Sequence, residues 1–379
     1  MKFCTLLSVL VLSSAVALSA NAIETKAKNA ILMDYDTGEY LYTKDAFTPV
    51  PPASMSKLMT VYLLFEKIKD GTLSLEDTFT VSENAWRKGG AKSGSSTMFL
   101  PIGKSVTVEN LIKGILIQSG NDACIVVAEN IAGTEEDFAV LMNEKAAELG
   151  LKDSHFENST GLPSPDHKMS VEDLAKLSRL LIKNFPEFYP IFSQKSFTYH
   201  NILQGNRNPL LYTMPDADGL KTGHTEEAGY GLAASAKRGN RRLIGVMNGM
   251  SSNKERSEEA EKLMNWGFRE FDNYKVFKQY QRIVSVPVYM GGEKNLDLVA
   301  GEDVLLTLPR DAAKDAKLTA IYKKPLKAPV SQGEKLGEVR LEVPGQATRN
   351  IPLYADHNVE KLGFFGRIKS NISYLLFGK

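Results

Sequence analysis

The 379-residue chain contains only two cysteines, Cys4 and Cys124, which is too few for a disulfide framework. It also lacks an excess of either charge, since 46 Lys and Arg side chains are balanced by 45 Asp and Glu side chains. Nucleic-acid-binding proteins usually carry a basic excess, so no nucleic acid partner is expected. With 43% hydrophobic and 24% charged residues, the composition is that of a soluble globular protein of roughly two domains.

Motifs of metal and phosphate chemistry are missing as well. The five histidines form no HExxH pattern and the chain has no CxxC pair, so no metal site and no cofactor are predicted. The chain has neither a glycine-rich phosphate loop nor a GxSxG nucleophile elbow. Any catalytic chemistry must therefore come from other groups of residues.

The first 22 residues have the layout of a secretory signal peptide. One positive side chain precedes the apolar run 6–18, and Ala20-Asn21-Ala22 follows as a small-x-small cleavage site. The run is short for a bilayer span, so a membrane anchor or a core-packed helix is the less favoured alternative. We expect export and cleavage after Ala22. Cleavage removes Cys4 and leaves Cys124 as a buried, unpaired thiol.

Residues 359–379 predict an amphipathic helix. Its apolar side chains recur at helical spacing and form one face: Phe365, Ile368, Ile372, Leu375 and Leu376. Charged residues interrupt the run, which favours a helix lying in the membrane interface over one that spans the bilayer. A terminal helix docked on its own domain is the alternative, and the residues alone do not separate the two.

Between the two ends, the hydrophobic pattern divides the chain into two predicted domains. A strand pair within 30–42 precedes a mainly helical stretch over 54–193, and strands and a long helix ending near Phe271 follow. Strands at both ends with helices between them predict an α/β (α+β) domain over 23–274, with one antiparallel sheet covered by helices. Short strands separated by Gly, Pro and charged turns predict a small all-β domain over 275–358.

Three short motifs occur in order within the first of these domains. They are Ser54-Met55-Ser56-Lys57 (SxxK), Ser119-Gly120-Asn121 (SxN) and Lys221-Thr222-Gly223 (KTG). Each is weak alone: Ser54 could be a helix N-cap, the second motif a turn, and Lys221 a solvated lysine. Together, at a helix start, in a loop between helices and on a short strand, they are typical of active-site serine penicillin-binding proteins and serine β-lactamases.

The first two motifs supply the groups that acyl transfer needs. A serine hydroxyl such as that of Ser54 is a poor nucleophile until a base takes its proton. Lys57 can be that base if burial and a neighbouring cation, which we expect to be Lys221, lower its pKa. Ser119 is placed to relay a proton to the leaving amine, and Asn121 can donate to and accept from a peptide bond.

The third motif supplies substrate contacts. Lys221 and Thr222 are expected to hold a substrate carboxylate, and Gly223 to let the substrate backbone approach the strand. The oxyanion hole is expected from the backbone N–H groups of Ser54 and His224. The His224 side chain is interpreted as a strand-end group that shapes the substrate pocket.

With these residues, the chain resembles a low-molecular-mass penicillin-binding protein of the D-alanyl-D-alanine carboxypeptidase family. The resemblance also covers residues 94–100, 158–162 and 218–225, and the whole plan of leader, catalytic domain, β domain and terminal amphipathic helix. It implies a β-lactamase/transpeptidase-like catalytic fold. It also implies a cell-wall enzyme in the periplasm, attached by its last helix to the outer face of the inner membrane.

The resemblance further implies the reaction and its partners. The expected activity removes the terminal D-alanine from peptidoglycan pentapeptide stems through an acyl-enzyme on Ser54, and β-lactams are expected to acylate the same serine. By the same resemblance, Arg207 and Arg256 are candidates for binding the substrate carboxylate.

Three alternative functions stay open. A D,D-endopeptidase would use the same motifs. A serine β-lactamase would need a Glu-bearing segment for deacylation, and none is found between Asn121 and Lys221. An inactive cell-wall scaffold is the non-enzymatic alternative, which the intact set of motifs disfavours.

Overall fold

The computed structural model describes residues 23–366 and residue 368, and the chain divides into two compact units. The first unit is Ile23–Phe271, and the second begins at Asp272. The signal peptide expected at 1–22 lies outside the described residues, as does most of the helix expected at 359–379.

The first unit is built on a five-stranded antiparallel sheet. The strands of this unit are β1 (Asn29–Asp34), β2 (Tyr40–Lys44), β3 (Thr78–Thr80), β4 (Ser105–Thr107), β5 (Ser196–Tyr199), β6 (Ile202–Gly205), β7 (Ala217–Thr225), β8 (Gly229–Arg238) and β9 (Arg241–Met250). The large sheet has the order β2-β1-β9-β8-β7, and β3-β4 and β5-β6 form two separate hairpin-like pairs. Ile31 of β1 lies opposite Val246 of β9. The two ends of the unit therefore meet in one sheet, which confirms the sequence prediction.

Helices cover this sheet on both faces. They are α1 (Lys57–Lys69), α2 (Glu83–Gly89), α3 (Val108–Lys113), α4 (Asn121–Ala132), α5 (Glu135–Glu148), α6 (Val171–Asn184), α7 (Leu210–Thr213) and α8 (Asn253–Glu270). Side chains cap several of them. Ser170 accepts the Asp173 N–H at the start of α6, and Ser252 accepts the Glu255 N–H at the start of α8, so donors that the helices leave unpaired are satisfied.

Strand β1 shows how the sheet separates two apolar layers. Because successive side chains of a strand point to opposite faces, Ile31 and Met33 pack in the layer that contains α1, α4 and α6, whereas Ala30 and Leu32 pack in the layer that contains α8. These four side chains are almost completely buried. The sheet therefore holds α1 and α4, which begin with two of the motifs, on the same face.

The second unit is almost entirely β-structure. Its elements are β10 (Phe271–Phe277), β11 (Arg282–Tyr289), β12 (Asn295–Ala300), β13 (Val304–Pro309), α9 (Arg310–Ala313), β14 (Lys317–Tyr322), β15 (Leu326–Lys327), β16 (Lys335–Glu342) and β17 (Arg349–Ala355). Six strands form a sheet in the order β14-β16-β17-β12-β11-β15, and β10 pairs with β13. Buried side chains such as Val286, Leu298 and Leu353 form its core. The all-β prediction for this region is confirmed.

Two properties of the described part of the chain bear on partners. Within it, no helix has both the length and the hydrophobicity that a bilayer crossing requires. Within the same residues, no group of His, Cys, Asp and Glu side chains is arranged to hold a metal ion.

Candidate active site

Ser54 lies in a tight turn immediately before α1. The sequence predicts a helix that begins near Ser54; residues Ala53–Ser56 form a 3₁₀ turn and the α-helix follows from Lys57. Pro52 and Ser56 occupy the N-cap positions of the 3₁₀ turn and of α1, so Ser54 is not the N-cap of either. The half-buried Ser54 hydroxyl is therefore available to face the cleft described below.

Lys57 is completely buried, and its amine contacts three oxygen atoms. The Nζ atom lies 2.8 Å from Ser54 Oγ and 2.7 Å from Asn121 Oδ1, and it also donates to the Thr160 carbonyl. Burial lowers the pKa of Lys57 to about 8. A neutral amine has two N–H donors and one lone pair. Asn121 and Thr160 offer acceptors for both donors, so the lone pair is left for the Ser54 hydroxyl.

Ser119 and Lys221 form a second serine–lysine pair. Lys221 Nζ donates to Ser119 Oγ at 2.8 Å and to the Thr222 carbonyl at 3.0 Å, and both side chains are buried. Ser119 has a left-handed backbone, with φ of 66°, after the π-helical turn Gly114–Gln118 that continues α3. That conformation is uncommon for a residue other than glycine and is often found at functional sites.

The pKa values of both buried lysines are lowered, and burial is the main cause for each. From the sequence, Lys221 was the cation predicted to lower the pKa of Lys57. In the structure burial is the main cause, and the charge of Arg207 also lowers the pKa of Lys57. Burial, followed by the charge of Lys57, holds the pKa of Lys221 well below its usual range.

Asn121 connects Lys57 to a segment whose individual residues did not stand out in the sequence. It is the first residue of α4, and its Nδ2 donates to Ser95 Oγ at 2.9 Å. Ser96 Oγ accepts from Arg207 Nη1 at 2.6 Å. The resemblance over residues 94–100 was the one signal in the sequence that pointed to these two serines.

Thr160 contributes a backbone carbonyl that sequence reasoning also missed. Asn158 Oδ1 accepts the N–H groups of Thr160 (3.1 Å) and Gly161 (2.8 Å), which shapes the turn. Gly161 has φ of +76°, and a Cβ atom there would lie 2.0 Å from the Ala53 carbonyl oxygen. This turn is thus packed against the Ser54 turn, and only glycine fits at its tip.

Strand β7 brings the third motif to the edge of the five-stranded sheet. Thr222, Gly223 and His224 line the cleft from this strand. A Cβ atom at Gly223 would lie 2.7 Å from the Pro52 carbonyl oxygen. Close packing of β7 against the Ser54 turn therefore requires this glycine, whereas the sequence prediction assigned it to substrate approach. The exposed His224 ring lies 3.9 Å from the Tyr230 ring, centroid to centroid.

Arg256 reaches the same cleft from α8. The buried guanidinium donates to the carbonyls of Gly223 and Gly231, both at 3.3 Å, and to Asn253 Oδ1 at 2.6 Å. Burial lowers its pKa to about 10. Among the described residues, no Asp or Glu forms an ion pair with Arg256.

All of the predicted site residues meet around one cleft of about 350 Å³. Those that line it directly are Ser54, Ser119, Asn121, Arg207, Thr222, Gly223, His224 and Arg256. Lys57 and Lys221 are buried behind the residues that line the cleft. Lys57 is hydrogen-bonded to Ser54, and Lys221 is hydrogen-bonded to Ser119. No Asp or Glu is among the described residues that line the cleft. The arrangement can move a proton from a serine hydroxyl to an amine without a metal ligand set.

Comparisons with known families cover both units. Residues 15–252 match the D-alanyl-D-alanine carboxypeptidase family. Residues 271–361 match the family described as penicillin-binding protein 5, C-terminal domain.

Individual relatives span nearly the same length. The chain is 40% identical over 353 residues to the D-alanyl-D-alanine carboxypeptidase DacC of Escherichia coli (strain K12), covering 92% of this chain and 88% of that protein. The crystal structure of penicillin binding protein 5 from Haemophilus influenzae is 35% identical, with a TM-score of 0.79, covering 90% of this chain and 99% of that one.

A third comparison is with a complex. The structure of penicillin-binding protein D2 from Listeria monocytogenes in its ampicillin-bound form has a TM-score of 0.57 and is 29% identical. It covers 65% of this chain and 100% of that one.

Proposed function

The chain belongs to the D-alanyl-D-alanine carboxypeptidase family of serine-type enzymes, and we propose that it removes the terminal D-alanine from peptidoglycan pentapeptide stems through an acyl-enzyme on Ser54. One observation carries the proposal. A completely buried lysine with a lowered pKa lies 2.8 Å from the hydroxyl of a serine that faces a cleft.

Acylation follows from the contacts of Lys57. The neutral amine accepts the Ser54 proton, while Asn121 and the Thr160 carbonyl keep its two N–H groups occupied. Ser54 Oγ then forms a bond to the carbonyl carbon of the penultimate D-alanine. The backbone N–H groups of Ser54 and His224 are the proposed donors to the oxyanion that develops there.

Release of the first product requires a proton on the leaving nitrogen. We assign Ser119 to relay to that nitrogen the proton that Lys57 took from Ser54, because the Ser119 hydroxyl faces the cleft and lies 2.8 Å from the Lys221 amine. Lys57 is then neutral again and Ser119 keeps its own hydroxyl proton. The carbon–nitrogen bond then breaks and D-alanine leaves. Water hydrolyses the ester by the reverse path: it gives a proton to the neutral Lys57 amine and its oxygen to the carbonyl carbon, and Lys57 returns that proton to the departing Ser54 Oγ.

Substrate recognition is assigned to β7 and the two arginines. Because β7 is the terminal strand of its sheet, its free edge can pair with an extended peptide. Thr222, Arg207 and Arg256 all line the cleft, and we assign the terminal carboxylate to them. Asn121 remains a candidate donor to the peptide on the opposite side.

The test combines D-alanine release with mass spectrometry after penicillin treatment. We expect a penicillin adduct on the Ser54 peptide, and Ser54→Ala should lose both the adduct and at least about 10³-fold in rate on a peptide ending in D-Ala-D-Ala. Ser251→Ala is the matched control, since Ser251-Ser252-Asn253-Lys254 has the same SxxK pattern on an exposed surface. Undiminished D-alanine release by Ser54→Ala would contradict the assigned nucleophile, and an unlabelled wild type would favour an inactive scaffold.

The location of the enzyme is also a proposal. We propose cleavage after Ala22, a catalytic domain over 23–274, a β domain over 275–358, and peripheral attachment by 359–379 to the outer face of the inner membrane. Phe364 and Phe365, which are 65% and 84% exposed, support an apolar surface at the start of that last segment. N-terminal sequencing of the exported protein should begin at Ile23. A chain ending at Asn358 should lose binding to anionic phospholipid vesicles that the longer chain retains.

A further inference from the structure

A second cavity adjoins the active-site cleft on the side of the two arginines. Its volume is about 550 Å³, and it shares three lining side chains with the cleft, those of Arg207, Tyr230 and Arg256. The rest of its wall includes Pro209 and Tyr212, at the start of α7 and within it. Room therefore exists directly beyond the groups assigned to the terminal carboxylate.

The charge around this cavity has one sign. Arg207 donates to Ser96 Oγ, and Arg256 donates to two backbone carbonyls and an Asn side chain. Neither arginine has an Asp or Glu ion-pair partner in the described part of the chain, and Arg256 Nε is buried without a hydrogen-bond partner. No Asp or Glu is among the described residues that line the cavity. The shared wall thus favours a ligand that carries a carboxylate.

Two aromatic rings give the cavity a fixed apolar surface. The Tyr230 ring contacts the His224 ring at 3.9 Å and the Arg256 guanidinium at 5.4 Å, measured to the Tyr230 ring centroid. The Tyr212 hydroxyl donates to the Lys195 carbonyl at 3.0 Å, although 56% of the residue is exposed. Rings already held in place lose little conformational freedom when a ligand packs on them.

We propose that this cavity is a leaving-group subsite that accepts C-terminal D-residues with side chains longer than the methyl group of alanine, apolar and aromatic ones in particular. The inference rests on the proposed function, since the carboxylate of the leaving residue must reach Arg207 and Arg256. With the carboxylate at the shared arginines, we expect a methyl group to be too short to enter the cavity and a longer side chain on the same carbon to extend beside Tyr230 towards Tyr212. The reaction is unchanged: the amide bond after the penultimate D-alanine breaks, and the free D-amino acid leaves with the added proton.

Matched peptides that end in D-Ala-D-Ala, D-Ala-D-Leu and D-Ala-D-Phe test the proposal in the full-length enzyme. The released D-amino acid is quantified by chromatography, and kcat/KM is compared. We expect the D-Leu and D-Phe peptides to reach kcat/KM values within about tenfold of the D-Ala peptide. If D-Ala is released normally but D-Leu and D-Phe more than about a hundredfold more slowly, the subsite is wrong while the proposed function stands. Absence of D-Ala release would contradict the proposed function itself.

Variants of Tyr212 test whether this residue contacts the side chain of the leaving D-residue. Tyr212→Ala should lower the ratio of kcat/KM for the D-Phe peptide over the D-Ala peptide by about fivefold, because an aromatic contact is lost. Tyr212→Phe keeps the ring and should retain the ratio. The matched control is Tyr280→Ala, which removes a tyrosine that is 69% exposed in the second unit. An unchanged ratio in Tyr212→Ala, or an equal fall in Tyr280→Ala, would overturn the proposal.

Discussion

The two units of this protein differ in how far their polar side chains are buried. In the first unit Lys57, Ser119, Asn121 and Lys221 are at most 3% exposed. Among the described residues of the second unit, the one buried polar side chain is Thr307, and charges lie on strand surfaces, as where Lys317 faces Glu342. A buried charge without a partner of opposite charge costs stability. Such a cost is retained in the first unit, where a lysine must lose its proton easily to act as a base.

The two units also differ in what surrounds their glycines with a left-handed backbone. Gly161 and Gly333 have nearly equal φ angles, +76° and +77°. At Gly161 a side chain would collide with the Ala53 carbonyl, whereas at Gly333 nothing lies within 4 Å of the place that a Cβ atom would take. Gly161 is thus required by both its backbone conformation and its close neighbours, whereas Gly333 is required by its backbone conformation alone. Matched substitutions in the two units can therefore separate the demands of the site from those of the fold.

The largest effect is expected from removal of the buried amine. Lys57→Met should lower the rate of acylation by fluorescent penicillin about 10³-fold, the usual worth of a general base. The melting temperature at neutral pH should not fall, because the variant no longer buries a charge. Lys335→Met, at an exposed position of β16, is the control and should change neither quantity. Rapid acylation of Lys57→Met would show that another group takes the Ser54 proton.

The two left-handed glycines provide the next comparison. Gly161→Ala should reduce acylation about 100-fold, because displacement of the Thr160 carbonyl and the Ser54 turn by about 1 Å disturbs the reacting geometry. Gly333→Ala has the same backbone cost of about 1 kcal/mol but no collision, so activity should be unchanged. Acylation rates and urea unfolding of both variants check this. Equal losses of activity would mean that the contact with Ala53 does not matter.

A pH profile should show the lowered pKa of Lys57. Its value of about 8 lies below the ordinary value of 10.5, so below pH 8 the amine is mainly protonated and cannot accept the Ser54 proton. The acylation rate should therefore fall about tenfold per pH unit below 8 and level off above it. For folding, the sign is that the native state binds fewer protons between pH 8 and 10.5, so the stability contributed by this residue rises with pH there. An acid limb centred near pH 6 would assign the base to another group.

The smallest effect concerns a carboxylate that organises the serine-bearing segment. Asp122 is buried, and its oxygens accept from Thr97 Oγ1 (2.6 Å), the Met98 N–H (2.9 Å) and the Leu100 N–H (3.0 Å). Asp122→Asn replaces one acceptor oxygen with a donor, so the segment should loosen. We expect about a fivefold fall in kcat/KM, mostly through a higher KM, and about 2 kcal/mol lower stability.

The control for Asp122 lies in the second unit. Asp303 accepts a single backbone N–H, that of Gln279, at an exposed position. Asp303→Asn should leave kcat/KM unchanged and cost less than about 1 kcal/mol. Steady-state kinetics and urea unfolding of both variants measure the difference. A fall in kcat of Asp122→Asn with KM unchanged would place the effect on the reacting groups instead of the segment.

Local signals predicted most of the architecture. Periodicity located the helices and strands because amphipathic spacing depends only on neighbouring residues. The helix expected near Ser54 begins with a 3₁₀ turn over Ala53–Ser56, a distinction that hydrophobic periodicity over so few residues does not make. The left-handed backbone of Ser119 was also beyond prediction, because the surrounding structure holds a serine in a conformation that its own preferences disfavour.

By itself, the sequence determined which side chains carry the chemistry: three motifs in order, with a serine or lysine in each. The tertiary structure alone decided how they act on one another. It placed a carbonyl of Thr160 against Lys57, brought Arg207 near enough for its charge to lower the pKa of that lysine, and required Gly223 for packing against Pro52. A sequence motif does not predict backbone acceptors or close contacts, because these depend on residues far apart in the chain that meet only in the folded protein.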